Sequence, residues 1–172
     1  MSGELPAPKV IVLMGVCGVG KTTIGRALAE AIGAAFEEGD SFHPPANVAK
    51  MKGGAPLDDG DRAPWLAAMA SAIGGWLGRP QPTVLACSAL KQAYRDVLAA
   101  GRPRIAFVHL TGAPALIAER MAGRTDHYMP PSLLPSQLAI LEPPSDAVAV
   151  AIDRPPPAIV RDIVARLGLA MR

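Results

Sequence analysis

Apolar residues fall along this chain at two spacings, and the spacing switches repeatedly. Four compact runs, KVIVLM (residues 9–14), TVLAC (83–87), RIAFVHL (104–110) and AVAVAI (147–152), are nearly continuous in aliphatic residues, and a fifth, AAFEEG (34–39), is more polar. Runs of this length predict strands, and the absence of a polar alternate face predicts burial on both sides, as in a parallel sheet. Between them the period changes to 3.6. Ile24, Leu28 and Ile32 share one helical face, as do Trp65, Met69, Ile73 and Trp76, then Leu116, Ile117, Arg120 and Met121, then Ile159, Ile163 and Leu167. Trp76 reads as core packing. Alternating strands and helices predict an α/β fold with right-handed crossovers, whose ligands gather at the carboxyl ends of the strands.

That rule directs attention to GVCGVGKT, which follows the first run and opens the first helical segment. Gly15-x-x-x-x-Gly20-Lys21-Thr22 is the phosphate-loop pattern in its required strand-to-helix setting. Glycines let the backbone curl with its N–H groups inward, and the helix aims its positive end at the same point. Lys21 would reach the β- and γ-phosphates of a nucleoside triphosphate, and the Thr22 hydroxyl would take one position on Mg²⁺. Cys17 sits at a free position of the loop, where packing is its expected role.

Composition narrows the class further. The chain has 172 residues, half of them apolar, and a formal charge of +2, which suits one domain and no nucleic-acid surface. Cys17 and Cys87 lack metal-binding spacing and point to a reduced, cytoplasmic setting. The amino terminus has no signal-peptide pattern, and no apolar stretch is long enough for a membrane span. Residues 1–8 read as a flexible tail ahead of a single domain over 9–172.

Where the phosphate goes is the next question. TVLACSALK ends without the acid that a hydrolysing switch usually carries, which favours transfer to a small substrate. Asp40 lies at the carboxyl end of the second predicted strand, where a carboxylate can accept a hydroxyl proton and hold Mg²⁺ through water. His43, before Pro44-Pro45, either orients substrate or closes the turn. Arg120 and Arg124 are four apart and predicted on one helical face, where they either clamp a transferring phosphoryl group under a closing lid or form a solvated surface.

Three blocks carry a more specific resemblance: GDSFHPPANVAKMKGGAPLDDGDRAPWL, ACSALKQAYRDVL and RTDHYMPPSLLPSQLAILEPP. Together with the phosphate loop, the chain from about residue 12 to 169 resembles the gluconokinases, ATP-dependent D-gluconate kinases of the shikimate-kinase-like group of P-loop kinases. The resemblance implies a doubly wound five-stranded parallel sheet in the order 2-3-1-4-5, a mobile lid near residues 120–137 and a substrate-covering segment near 47–65. It implies that Gly15, Val16, Cys17, Gly18, Val19, Gly20, Lys21, Thr22 and Thr23 bind ATP, with Arg120, behind Arg124 in the lid, also on the nucleotide and Pro155 or Pro156 touching the base. Asp40 contacts the substrate 6-hydroxyl as base and, with Thr22, serves Mg²⁺. His43, Arg62, Lys91 and Arg95 become candidates for the polyol and carboxylate, although Arg62 and Lys91 would equally suit surface ion pairs. Arg124 belongs to the lid, and His127 either contacts substrate or holds the lid shut. The family's habit also implies a homodimer. Cys17 and Val19 stand where serines are expected, Pro135 where an acid is more usual, and Gln92 where a basic residue is common.

Overall fold

The computed structural model describes residues 6–124 and 129–172. Its organising element is β1 (Val10–Met14), fully buried and flanked on both sides by parallel partners. Period-2 alternation along β1 supplies two cores at once. Ile11 and Leu13 face a layer containing α1 (Lys21–Ile32) and the C-terminal α7 (Pro156–Arg166), while Val10, Val12 and Met14 face a layer with α3 (Asp59–Trp76) and α4 (Gln92–Ala99).

The sheet order is β2-β3-β1-β4-β5, with β2 at Ala35–Glu38, β3 at Thr83–Ala86, β4 at Ile105–Thr111 and β5 at Val148–Ala151. All four pairings are parallel, and Ala35↔Thr83 and Val10↔Thr83 fix the register on both sides of β3. The predicted doubly wound sheet is therefore present, each strand within a residue of its expected limits. Burial on both faces holds for β1 and β3; the edge strands β2 and β5 are only partly covered.

The predicted helical faces also pack inward. Ile24, Leu28 and Ile32 are buried, as are Trp65, Met69, Ile73, Trp76, Ile117, Met121, Ile159 and Ile163. One boundary differs: α5 (Pro114–Ala122) stops before Arg124, with Gly123 as its cap, so Arg120 and Arg124 do not share a helical face. The Arg124 N–H closes a tighter turn on the Met121 carbonyl at 3.1 Å. Two short helices lie in the segments expected to cover the site, α2 (Pro45–Lys52) and α6 (Leu134–Ile140), and α6 tolerates Pro135 because it lies in the first turn. Met51 and Leu57 on one side pack with Leu133 and Met129 on the other, a small apolar cluster that meets the α1–α7 core through Met129. The two segments expected to cover the site thus touch one another. No helix among the described residues is long and apolar enough to cross a membrane.

Candidate active site

The phosphate loop is built with its side chains turned inward to the core. Val16 and Val19 are 3% and 1% exposed and join the α1–α7 core, which anchors the loop and leaves its backbone at the surface of the site. Gly18 requires glycine twice over: its φ is +86°, and a Cβ there would come within 2.5 Å of Met121. Gly20 caps α1 with φ 96° and provides no side chain, so the first helical amides keep an unobstructed approach. The Lys21 ammonium donates to the carbonyls of Gly15 at 3.0 Å and Val16 at 2.9 Å, which bends it back over the loop. Burial lowers its pKa, and the Asp40 carboxylate is the largest opposing influence.

Two clefts meet at this loop. Lys21, Thr22, Glu38, Asp40, Arg124 and Gln137 line the first. Thr23, Arg120, Arg124, Arg154 and Pro156 line the second, of about 280 Å³. Gly18, Gly20 and Arg124 are common to both, so a group bound at the loop is accessible from either side. Arg120 is oriented by donating to the Ile152 carbonyl at 2.8 Å, and Arg154 by an ion pair with Asp162 at 2.8 Å. The two predicted lid arginines therefore converge on one cleft from different backbone contexts.

Glu38 was not among the expected site residues. The Thr22 hydroxyl donates to its carboxylate at 2.5 Å, placing a carboxylate beside the hydroxyl proposed for the metal. Glu38 ends β2, and Asp40 follows in the 3₁₀ turn Gly39–Phe42. The Trp65 indole N–H holds that turn by donating to the Gly39 carbonyl at 2.8 Å.

The same indole forms the floor for His43, whose ring stacks on it with centroids 4.3 Å apart and planes at 12°. Buried Asn47 donates to the Asp61 carbonyl at 2.8 Å, and its amide nitrogen lies 3.3 Å from His43 Nδ1. With Asn47 donating, Nδ1 accepts and Nε2 carries the proton. Burial, opposed by Asp40 and reinforced by Arg62, lowers the His43 pKa to about 4, so the ring is neutral at physiological pH.

Arg62 continues this polar row. Its guanidinium donates to the Tyr94 hydroxyl at 3.2 Å and lies over the Tyr94 ring. Tyr94 in turn donates to Asp59 at 2.5 Å, and Lys91 pairs with the same carboxylate at 3.0 Å. The Tyr94 hydrogen bond, followed by Lys91, holds the Asp59 pKa below its ordinary value. The chain thus brings Arg62 and Lys91 together through an intervening acid and phenol.

Arg95 is not brought to the cleft. It is 2% exposed and donates to the carbonyls of Ala89 and Glu142, both at 2.7 Å, so its fork anchors the loop after β3. Its helix, α4, was not among the predicted helical segments, and the YRD block does not show which way the arginine turns. Gly15 serves the same loop from the other side, donating its N–H to the Ser88 carbonyl at 3.2 Å. His127 lies outside the described residues. Cys17 packs its thiol 3.6 Å from the Met121 sulfur, and burial raises its pKa against the pull of Lys21 and Arg124. Its backbone N–H donates to the Gln137 side chain at 2.7 Å, a contact across 120 positions that no local pattern announces.

No family model matches the chain. The gluconokinase of Gluconobacter oxydans (strain 621H) is 44% identical over 160 residues, covering 91% of this chain and 90% of that protein. A gluconokinase structure from Sinorhizobium meliloti 1021 superposes with a TM-score of 0.81 at 49% identity, covering 94% of this chain and 92% of the other. An unliganded sugar kinase from Janibacter sp. HTCC2649 gives 0.88 at 42% identity, covering 95% and 96%. Identity of this order over nine-tenths of both lengths, joined to a phosphate loop in the expected setting, identifies the chain as a kinase belonging to the gluconokinase family.

Proposed function

We propose that the protein transfers the γ-phosphate of MgATP to the 6-hydroxyl of D-gluconate, giving ADP and 6-phosphogluconate. The observation that carries this reading is the junction of the two clefts at Gly18, Gly20 and Arg124, with Asp40 on one side and the Arg120–Pro156 wall on the other. A base and ribose would occupy the second cleft, the inner phosphates the junction, and the reacting phosphoryl group and the acceptor alcohol the first cleft.

The donor set suits Mg²⁺. Thr22 and Glu38 present hard oxygens in hydrogen-bond contact, with Asp40 in the same cleft. Mg²⁺ ordinarily keeps several waters and takes phosphate oxygens beside one or two protein ligands. Thr22 and Glu38 would hold it directly and Asp40 through water. When bound, Mg²⁺ supplies charge neutralisation at the phosphates.

The chain's own residues then divide the work. Lys21 and Arg124 balance negative charge on the transferring group, and the amides opening α1 add fixed dipoles. Asp40 accepts the proton of the attacking hydroxyl. Neutral His43 donates through Nε2 to a substrate hydroxyl without competing as a cation. Arg62 and Lys91 supply the positive end of the row for the substrate carboxylate, with Tyr94 between them.

An ADP-release assay with gluconate, shikimate and a nucleoside monophosphate as acceptors, the product identified by mass, tests this. Gluconate should dominate, and Asp40→Asn and Lys21→Ala should each nearly abolish turnover while thermal melting stays close to wild type. Preference for another acceptor, or an active Asp40→Asn variant, refutes the assignment.

A further inference from the structure

Gln137 has no role in the account so far, yet it is the only side chain of α6 turned into the phosphate-side cleft among its described lining. It is 8% exposed, and its Oε1 accepts the Cys17 N–H at 2.7 Å. That bond fixes the amide's direction. With the oxygen on the loop, both amide hydrogens belong to Nε2, which meets the Met129 sulfur at 3.5 Å, a weak acceptor for one of them. A buried amide N–H₂ facing a thioether is poorly compensated, whereas an anionic oxygen would compensate it fully.

Placement says which anion. Gln137 and Cys17 line the acceptor-side cleft and not the base-side cleft, while Gly18, Gly20 and Arg124 line both. A nucleotide entering from the base side would set its inner phosphates at the shared residues, and only its last phosphoryl group would extend past them toward Cys17 and Asp40. Resting on the kinase reading above, we propose that Gln137 is a binding residue for the terminal phosphoryl group of the nucleotide: its oxygen steadies the loop through Cys17, and its nitrogen donates to the transferred group. A purely structural duty would add little, because Leu133 and Leu134 already bury this segment in apolar clusters.

The test compares ADP with the β,γ-imido analogue of ATP by calorimetry, each with Mg²⁺, in wild type and in Gln137→Met, which keeps length and removes the amide. A hydrogen bond to a charged group corresponds to about 10- to 100-fold in affinity. The imido analogue should therefore weaken at least tenfold more than ADP, whose smaller loss reports the oxygen's hold on Cys17. Equal weakening of both nucleotides, or of neither, overturns the proposal. Should Gln137→Met fail to fold, Gln137→Glu retains an acceptor for Cys17 and sets a negative charge against the terminal group. Its loss must again fall on the imido analogue, and equal loss refutes the assignment. No acceptor is present in these titrations, so a wild-type protein that ignores gluconate overturns the function proposed above without affecting this measurement.

Discussion

Trp65→Phe tests how the core positions Asp40, the carboxylate proposed as the base. Trp65 is 1% exposed, its indole N–H donates to the Gly39 carbonyl at 2.8 Å, and its ring supports His43. Gly39 is itself wedged against β3, since a Cβ there would fall 2.4 Å from the Ala86 carbonyl oxygen, so its own carbonyl has little room to find another partner. Phenylalanine keeps a six-membered ring but removes the donor and the fused ring. An unsatisfied buried carbonyl costs about 1–2 kcal/mol, and the lost contacts and cavity add about 1–2 kcal/mol, for a total near 2–4 kcal/mol. Urea unfolding followed by circular dichroism measures this directly. Because Gly39 immediately precedes Asp40, a small displacement should also lower kcat by about 10- to 100-fold. Trp76→Phe is the matched control: Trp76 packs in the same apolar layer, edge-on to Phe42, and should lose stability with kcat nearly intact. A Trp65→Phe protein within 0.5 kcal/mol of wild type, or one whose kcat matches Trp76→Phe, refutes the reasoning.

Other consequences follow from single contacts. His43 titrates near pH 4 when folded and near 6.5 when unfolded, so the unfolded chain binds its proton first as pH falls. The stability conferred by neutral His43 is complete above pH 6.5 and declines toward pH 4, by about 1–2 kcal/mol once partial solvent access is allowed for, and His43→Gln should flatten that slope in pH-dependent unfolding. Glu38→Gln should raise the Mg²⁺ concentration needed for half-maximal binding of the imido analogue about tenfold with little change in melting temperature; unchanged metal dependence would remove Glu38 from the site. Gly18→Ala must accept φ +86° and a Cβ 2.5 Å from Met121 and 3.0 Å from Ile117, and should lose about 2–4 kcal/mol in denaturant unfolding.

The sheet was legible because its strands are short and bounded, all but β2 are predominantly apolar, and β1 and β3 are buried on both faces as continuous runs require. Helices were legible where a large apolar face meets the sheet, as with Trp65, Met69 and Ile73. They were not legible in α2, whose eight residues bury only Asn47 and Met51, or in α6, where proline and polar residues obscure the period. The end of α5 was missed for a related reason. Arg120 and Arg124 have helical spacing, but Gly123 between them ends the helix, and spacing alone does not register that cap.

The site divides along the same line. Lys21, Thr22 and the loop glycines could be named because their chemistry depends on backbone geometry that a local motif specifies. Glu38 had a detectable signal: it has the same parity as Asp40 at the carboxyl end of β2, so a strand continuing its alternation would carry both acids toward one side, whereas neighbouring Glu37 pairs with Arg79 at 3.3 Å. Arg95 and Gln137 had none, since their partners are distant carbonyls and amides fixed only by tertiary packing. The same logic resolves the loop's unusual residues. Val19, where a serine is expected, is 1% exposed in the core, and Cys17 faces Met121 while its N–H donates to the Gln137 side-chain oxygen. Neither position needs a hydroxyl to hold the loop, because in this fold both side chains pack into the α1–α7 core.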